Sequence, residues 1–325
     1  MSKPLVYETT MNEAAIDLFE EMLETLEILK AKIVETDLGP VILDLGLKTP
    51  GGYLAGEYAI QVCLGGQAEV SLGMKNYSND LSLPIVTVLS DFPTIATMGS
   101  QFAGWSIDID GYKAMASGPI RIFSKKPKHV FEQLNIKEEF DRTVIVLETS
   151  NYPSDAVMRY ISEKCRKSLQ NISIIITPIT SIAGATQIAG RSIETAIHKL
   201  MDLGLDITKI VSGSGTCPIA PLDITNGDLM MGRTNDMLIY GSDVYLQVDY
   251  KNEKELISYL EKAISSSSSS YGKLFYDIVK EAKGDFYNID KSLFAPAKLT
   301  VNNIKSGKTY SFGKINSDML LKSIK

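Results

Sequence analysis

Two short strings constrain this chain more than any other feature. SQFAGWSID (Ser100–Asp108) and QIAGRSIET (Gln187–Thr195) agree at five of the eight positions that align from Gln101 and Gln187. Each follows an apolar run of strand type, IVTVL (Ile85–Leu89) before the first and ISIIIT (Ile172–Thr177) before the second. A strand leading into a glycine-containing segment, twice at nearly the same offset, favours an internal duplication and one pseudo-symmetric α/β unit. The copies differ where it matters chemically: Trp105 stands opposite Arg191, and Asp108 opposite Glu194.

Short strand-like runs and helical patterns surround this unit. Thr10 followed by Glu13 has capping-box spacing, and Ala15, Ile16, Phe19, Met22, Leu23, Leu26 and Ile33 recur at helical intervals, so the chain opens on a long amphipathic helix. VILDLGL (Val41–Leu47), YAIQVCL (Tyr58–Leu64) and AEVSLG (Ala68–Gly73) read as strands. The polar, turn-rich stretch Asn76–Pro84 marks a place to leave a domain, and the middle unit closes near Ala220–Asp228. Met237–Tyr250 reads as two strand runs around a Gly-Ser-Asp turn. Two helical segments then flank the serine run Ser265–Ser270, which suits a flexible linker or a loop at a cleft. AKLTVNN and KTYSFGK supply closing strands. The expected architecture is α/β with two α/β domains and a substrate cleft between them. One is discontinuous (1–84 plus 223–325), and the other is inserted (85–222) and carries the internal pseudo-repeat.

Composition narrows the function. At 325 residues and 44% hydrophobic content the chain can bury substantial cores. It has no apolar run long enough for a bilayer and no basic-then-apolar leader, so a cytoplasmic protein without a membrane partner is expected. A net charge of −6 with interspersed lysines and acids gives no footprint for nucleic acid. Cys63, Cys165 and Cys217 are far apart and His129 and His198 are the two histidines, which fits neither zinc spacing nor a disulfide framework; no metal is expected. Each cysteine reads as a small buried apolar residue.

The charged copy is the candidate site. In a helix over Gln187–Leu200, Arg191, Glu194 and His198 share one face, while Ile193, Ala196, Ile197 and Leu200 line an apolar side and Gly204 supplies a stop. An exposed i,i+3 ion pair is worth only about 0.3–0.5 kcal/mol. A pair in a cleft would cost several kcal/mol per ion in desolvation, which points to chemistry. The small residues Ala189, Gly190 and Ser192 allow close approach of a backbone or ligand; spacing alone leaves both readings open. His198 by itself reads as a helix-face or core histidine. Ser212–Pro218 (SGSGTCP) could form an anion nest but lacks the phosphate-loop lysine, and an ordinary turn explains it better. MMGRTND (Met230–Asp236) places four polar handles before an expected strand, where turn chemistry is an equal explanation.

In order along the chain, SQFAGWSI, ASGP (Ala116–Pro119), QIAGRSIETAIHKL, GRTNDMLIYG, SSSYGKLF (Ser268–Phe275) and DFYNIDKSLFAPA (Asp285–Ala297) resemble the methenyltetrahydromethanopterin cyclohydrolases of methanogenic and related archaea. Single segments are weakly specific; the ordered set is specific and covers nearly the whole chain. The resemblance implies a cytoplasmic homotrimer without cofactor, binding its small-molecule substrate between two α/β domains. The activity implied is reversible hydrolysis of 5,10-methenyltetrahydromethanopterin to the 5-formyl compound in one-carbon metabolism and methanogenesis. The family's catalytic Arg-x-x-Glu falls on Arg191 and Glu194. Substrate contacts fall on Ser100, Gln101, Phe102 and Trp105 and on Gly232, Arg233, Thr234, Asn235 and Asp236. Phe102 departs from the lysine or tyrosine that the family can carry there, and a phenyl ring moves no protons.

The implied chemistry suits these residues. The substrate carbon bridges two nitrogens in an amidinium, already electrophilic, so neither metal nor redox cofactor is required. Glu194 could take the proton of attacking water and return it to the departing nitrogen, with Arg191 orienting the carboxylate. The rivals are a hydrolase or formyl-transfer enzyme acting on another reduced pterin, and a non-catalytic pterin-binding protein.

Overall fold

The computed structural model describes residues 10–282 and 289–325. The leader reading at 1–9 and the start of the DFYNIDKSLFAPA segment (285–288) lie outside the described residues. Among the described residues twelve strands form two six-stranded sheets. In chain order they are β1 (Lys32–Val34), β2 (Val41–Asp44), β3 (Glu69–Ser78), β4 (Leu81–Ser90), β5 (Trp105–Ile109), β6 (Tyr112–Ser117), β7 (Thr143–Glu148), β8 (Ile172–Ile176), β9 (Ile210–Pro218), β10 (Asp243–Val248), β11 (Lys298–Asn303) and β12 (Lys308–Gly313). The first sheet runs β1-β2-β8-β7-β6-β5, and the second β12-β11-β10-β9-β4-β3. Only β2-β8, β8-β7 and β10-β11 pair parallel; the rest are antiparallel.

The helices are α1 (Met11–Glu24), α2 (Leu26–Leu29), α3 (Tyr53–Cys63), α4 (Arg121–Ser124), α5 (Lys128–Gln133), α6 (Asp155–Cys165), α7 (Ile182–Ala189), α8 (Ser192–Asp202), α9 (Gly227–Gly241), α10 (Glu253–Leu260), α11 (Phe275–Glu281) and α12 (Ser317–Ile324). The Thr10 hydroxyl caps α1 by accepting from Glu13 N, as the capping-box spacing predicts.

Burial follows strand alternation. Leu43, Val144, Val146 and Ile175 face α1 and α3 across one side of the first sheet. Ile42, Ile145, Leu147 and Ile174 face α6 on the other. Val86, Val88, Val244, Leu246 and Leu299 of the second sheet pack in a larger core with residues of α8, α9, α11 and α12. α3 packs against α1 and α7 and also reaches β3, so it ties the two layers together.

Sheet membership does not follow chain order. β1 and β2, from the outer segment, lie in the same sheet as β5 to β8, and Pro84 sits inside β4 rather than at an exit. Asn76–Pro84 is polar because it carries the hairpin joining β3 to β4. Tyr58–Leu64 is helical: Ala55, Ala59, Ile60, Val62 and Cys63 are buried in α3, so the apolar run reflects a helix enclosed on most sides. Met237–Gly241 likewise ends α9, and its strand begins only at Asp243. The serine run is ordered. Ser265 Oγ donates to Ile239 O at 2.6 Å and Ser268 Oγ to Asp290 at 2.6 Å. The two near-repeats also differ in conformation, the first leading into β5 and the second into α8.

Candidate active site

The expected single helix is broken into α7 and α8 at Gly190–Arg191. A Cβ on Gly190 would stand 2.6 Å from Ile60 Cγ1, so glycine is what lets α7 end against α3. α8 then lies on the second sheet, close enough that a Cβ on Gly215 would meet Ser192 Oγ at 2.4 Å. This explains SGSGTCP: it is neither nest nor turn but strand β9, whose Gly213 and Gly215 face α8 and let the helix approach.

Arg191 occupies the N-terminal joint of α8, and Glu194 lies in its first turn. Both are 7% exposed. The guanidinium is held on four sides: Nη1 donates to Glu194 Oε2 at 3.1 Å and to Gln101 O at 2.9 Å, and Nη2 to Ser117 Oγ at 3.1 Å and Gln187 Oε1 at 3.0 Å. Burial works against its charge, but Glu194, Cys63 and Glu148 outweigh that, and its pKa lies above the usual arginine value. The Glu194 carboxylate thus faces a guanidinium and the positive end of a helix. An exposed pair would bring tenths of a kcal/mol; this one, if broken by removing one partner, costs about 3–5 kcal/mol.

A second layer was not legible in the strings. Gln187, which bonds Arg191, donates through Nε2 to Glu148 Oε2 at 3.1 Å. Burial pushes the Glu148 carboxyl up, opposed by Arg191 and by the Gln187 bond. Glu148 closes the apolar run TVIVLE of β7, and a carboxylate at the end of a buried strand was the available signal. Ser117 ends β6 and also contacts Cys63 Sγ at 3.7 Å.

The first string packs against the pair from the Gln101 side. Residues Ile95–Gln101 make a π-helical turn, with Phe102 N donating to Thr97 O at 2.8 Å. Arg121, fully buried, caps its end: Nη1 donates to Met98 O at 3.1 Å and Ser100 O at 3.0 Å. Burial lowers the Arg121 pKa to about 9 despite Glu194. Ser100 Oγ ties the turn to Cys63 O at 2.6 Å, and Gln101 Nε2 donates to Gly190 O at 3.1 Å. The Phe102 ring lies between Arg121, 5.4 Å from its centroid, and the His198 imidazole at 4.4 Å. Gln101 Oε1, Arg121 Nη2 and Ser192 Oγ are buried without a hydrogen-bond partner, an unusual concentration of free polar atoms beside one ion pair.

Ser100, Gln101, Phe102, Arg191 and Glu194 are therefore brought together. Trp105 is not. It pairs with Ala116, one residue before Ser117, so strand alternation turns its ring to the other side of the sheet. There it packs in the α6 core, 6.2 Å from Tyr160.

Gly232–Asp236 sit inside α9 with other tasks. Gly232 makes room for Tyr276, where a Cβ would meet the side chain at 2.7 Å. Arg233 donates to Ser323 O, Pro221 O and Ile324 O, pinning α12. Thr234 and Asn235 bond back to Met230 O and Met231 O. Asp236, pushed up to about 7 by burial, accepts from Phe275 N and Ser323 Oγ. A separate surface groove near α4 and the end of α6, lined by Lys125, Arg166 and Lys167 among others, contains none of the expected residues. Among the described residues no three His, Cys, Asp or Glu side chains converge as a metal site would need, and no helix is long and apolar enough to cross a membrane.

Comparison with known proteins adds a family match and three relatives. A family model described as Cyclohydrolase (MCH) matches residues 10–324. The chain is 44% identical over 314 residues to the methenyltetrahydromethanopterin cyclohydrolase of Methanoculleus marisnigri, covering 97% of this chain and 98% of that one. With the same coverage it is 42% identical to the protein of that name from Methanocorpusculum labreanum and 41% identical to that from Methanococcoides burtonii.

Proposed function

This chain belongs to the methenyltetrahydromethanopterin cyclohydrolase family, and from that premise we propose the way its residues carry the reaction. It is a hydrolase that opens 5,10-methenyltetrahydromethanopterin to the 5-formyl compound in archaeal one-carbon metabolism. The substrate's amidinium carbon is the electrophile. Glu194 accepts a proton from the attacking water, and the C–O bond forms. The departing nitrogen is then protonated by the same carboxyl as the C–N bond breaks, and the carboxylate so regenerated takes the hydroxyl proton as the formyl C=O forms. Arg191 fixes the carboxylate so that its free oxygen faces the water.

The observation that supports this reading most directly is the buried Arg191–Glu194 pair, each 7% exposed and the guanidinium held by four acceptors. A stability role alone does not account for it, since an apolar pair of similar volume would do as well or better. Gln101 and Phe102 line the proposed site opposite the pair. Gly232–Asp236 are left out of it because their polar groups already serve α9, α11 and α12. The pterin ring would enter between the two sheet layers, where α7, α8 and the π-turn meet. The assembly that goes with this reading is a homotrimer working in the cytoplasm. Neither metal nor redox cofactor is called for, because the carbon under attack is electrophilic from the start.

The test is Glu194→Gln, followed by loss of methenyl absorbance with purified protein. Turnover should fall by about 10²–10⁴-fold with substrate binding retained, in a protein that still folds although Arg191 has lost its charged partner. A raised KM with unchanged kcat would instead mean that the carboxylate only attracts the cation. Turnover near that of the unmodified chain would falsify the assignment.

A further inference from the structure

Hydrolysis of a methenyl cation leaves one proton over. Water adds to the cation and gives one proton to Glu194 as the C–O bond forms. When the C–N bond breaks, the hydroxyl loses its proton and the nitrogen gains one. The organic product is neutral where the substrate was cationic, so each turnover must deliver one proton to bulk water. Glu194, with a side chain 9% exposed, is poorly placed to do this directly.

We propose that His198 carries this proton outward from Glu194 and that Asp202 receives it at the surface. The proposal rests on the reaction assigned above. Glu194, His198 and Asp202 follow one another at i, i+4 and i+8 on α8, hence on one face. Their side-chain exposures rise in sequence, 9%, 25% and 48%, from the interior to solvent. His198 Nε2 lies 3.8 Å from Asp202 Oδ1. Residues at i and i+4 have Cβ atoms about 5–6 Å apart, a gap that one water can bridge between Glu194 and His198. Imidazole can take a proton at one nitrogen and release another from the second, and it does so near neutral pH.

The ring is also held in place, 4.4 Å from the Phe102 ring with a 32° tilt. Phe102 cannot move protons itself, which leaves His198 as the titratable member of that stacked pair. The charged groups around the relay are few. α8 supplies Arg191, Lys199 and the two carboxylates. Arg121 lies behind Phe102. Lys209, after α8, is paired with Asp206, and Asp243 of β10 with Lys298. An ordinary helix-surface pair explains the His198–Asp202 contact but not the stack on Phe102 or the run inward to a buried carboxylate.

The experiment measures turnover of the full chain on methenyltetrahydromethanopterin in dilute and in concentrated buffer. His198→Gln should keep its thermal midpoint and KM and lose about tenfold in kcat in dilute buffer, with imidazole or concentrated buffer restoring the rate, because a small diffusible base can replace the relay. His198→Phe keeps a ring on Phe102 and should show the same buffer dependence, which separates packing from proton transfer. Asp202→Asn should show a smaller loss of the same kind. A folded His198 variant that turns over at the unmodified rate in dilute buffer overturns the relay. So does a loss that imidazole fails to restore. An unmodified chain inactive on this substrate overturns the assigned reaction, and the relay with it.

Discussion

Ser100–Asp108 and Gln187–Thr195 are almost the same string, yet they fold differently and then meet. The first ends a π-turn at Gln101 and starts β5 at Trp105. The second ends α7 at Ala189 and starts α8 at Ser192. The matched glutamine of the first bonds the matched glycine of the second, Gln101 Nε2 to Gly190 O, and Arg191 returns a bond to Gln101 O. What separates them is the sequence that follows. Trp105, Ile107 and Ile109 alternate with Ser106 and Asp108, the strand period, whereas Ile193, Ala196, Ile197 and Leu200 follow the helical period. The shared residues are small enough for either conformation. The one large difference, tryptophan against arginine, then goes to an apolar core in one case and to a polar joint in the other.

Exchanging the two characters gives the largest expected effect. Trp105→Arg places an unpaired guanidinium in the α6 core and removes a large ring, so it should cost at least about 4 kcal/mol in urea unfolding. A stable Trp105→Arg protein would mean that the ring does not fill that core. Next comes Arg191→Met, which strands Glu194 and should cost about 3–5 kcal/mol. Adding Glu194→Met removes the stranded charge. The double variant should recover to within about 1–2 kcal/mol of the unmodified chain while showing no turnover. If the double variant is as unstable as the single, the pair is there for stability and its placement in the chemistry weakens.

How much of this could be read from residues alone follows the same contrast. The Arg191–Glu194 pair was legible because it lies within one helical turn, and the α1 cap because Thr10 and Glu13 are three apart. Glu148 and Ser117 were not, since they reach Arg191 only through sheet pairing across long sequence separations. Tyr58–Leu64 reads as a strand although it belongs to the α3 segment, because it is apolar on most sides and in a short window a buried helix and a buried strand look alike. Gly232–Asp236 is a dense set of polar groups in sequence, and its bonds to α11, α12 and its own helix arise only in the fold. Sheet membership is hidden from the sequence for a related reason. β1 and β2 precede β3 in the chain but join the other sheet, and no composition change marks that crossing.

The glycines that the strings share give the smallest effect and the finest test. Both are required for space rather than for backbone angle. A Cβ on Gly104 would meet Pro127 Cδ at 2.5 Å and the Phe102 ring at 2.6 Å, whereas the three nearest neighbours of one on Gly190 are all in the Ile60 side chain, at 2.6–2.8 Å. A proline ring and a stacked phenyl yield less than an isoleucine side chain, so Gly104→Ala should be the costlier of the two. Gly190→Ala should cost about 1–3 kcal/mol by overpacking. Ile60→Val alone removes a buried methylene and should cost about 0.5–1.5 kcal/mol. In the Gly190→Ala background the same change opens room for the new methyl, so its cost should shrink or change sign in a double-mutant cycle measured by urea unfolding. Strict additivity would show that Ile60 is not what forbids a side chain at 190. The reason for that glycine would then have to lie in the Gln101 bond to its carbonyl, and Gly190→Ala should lower turnover even after Ile60 is trimmed.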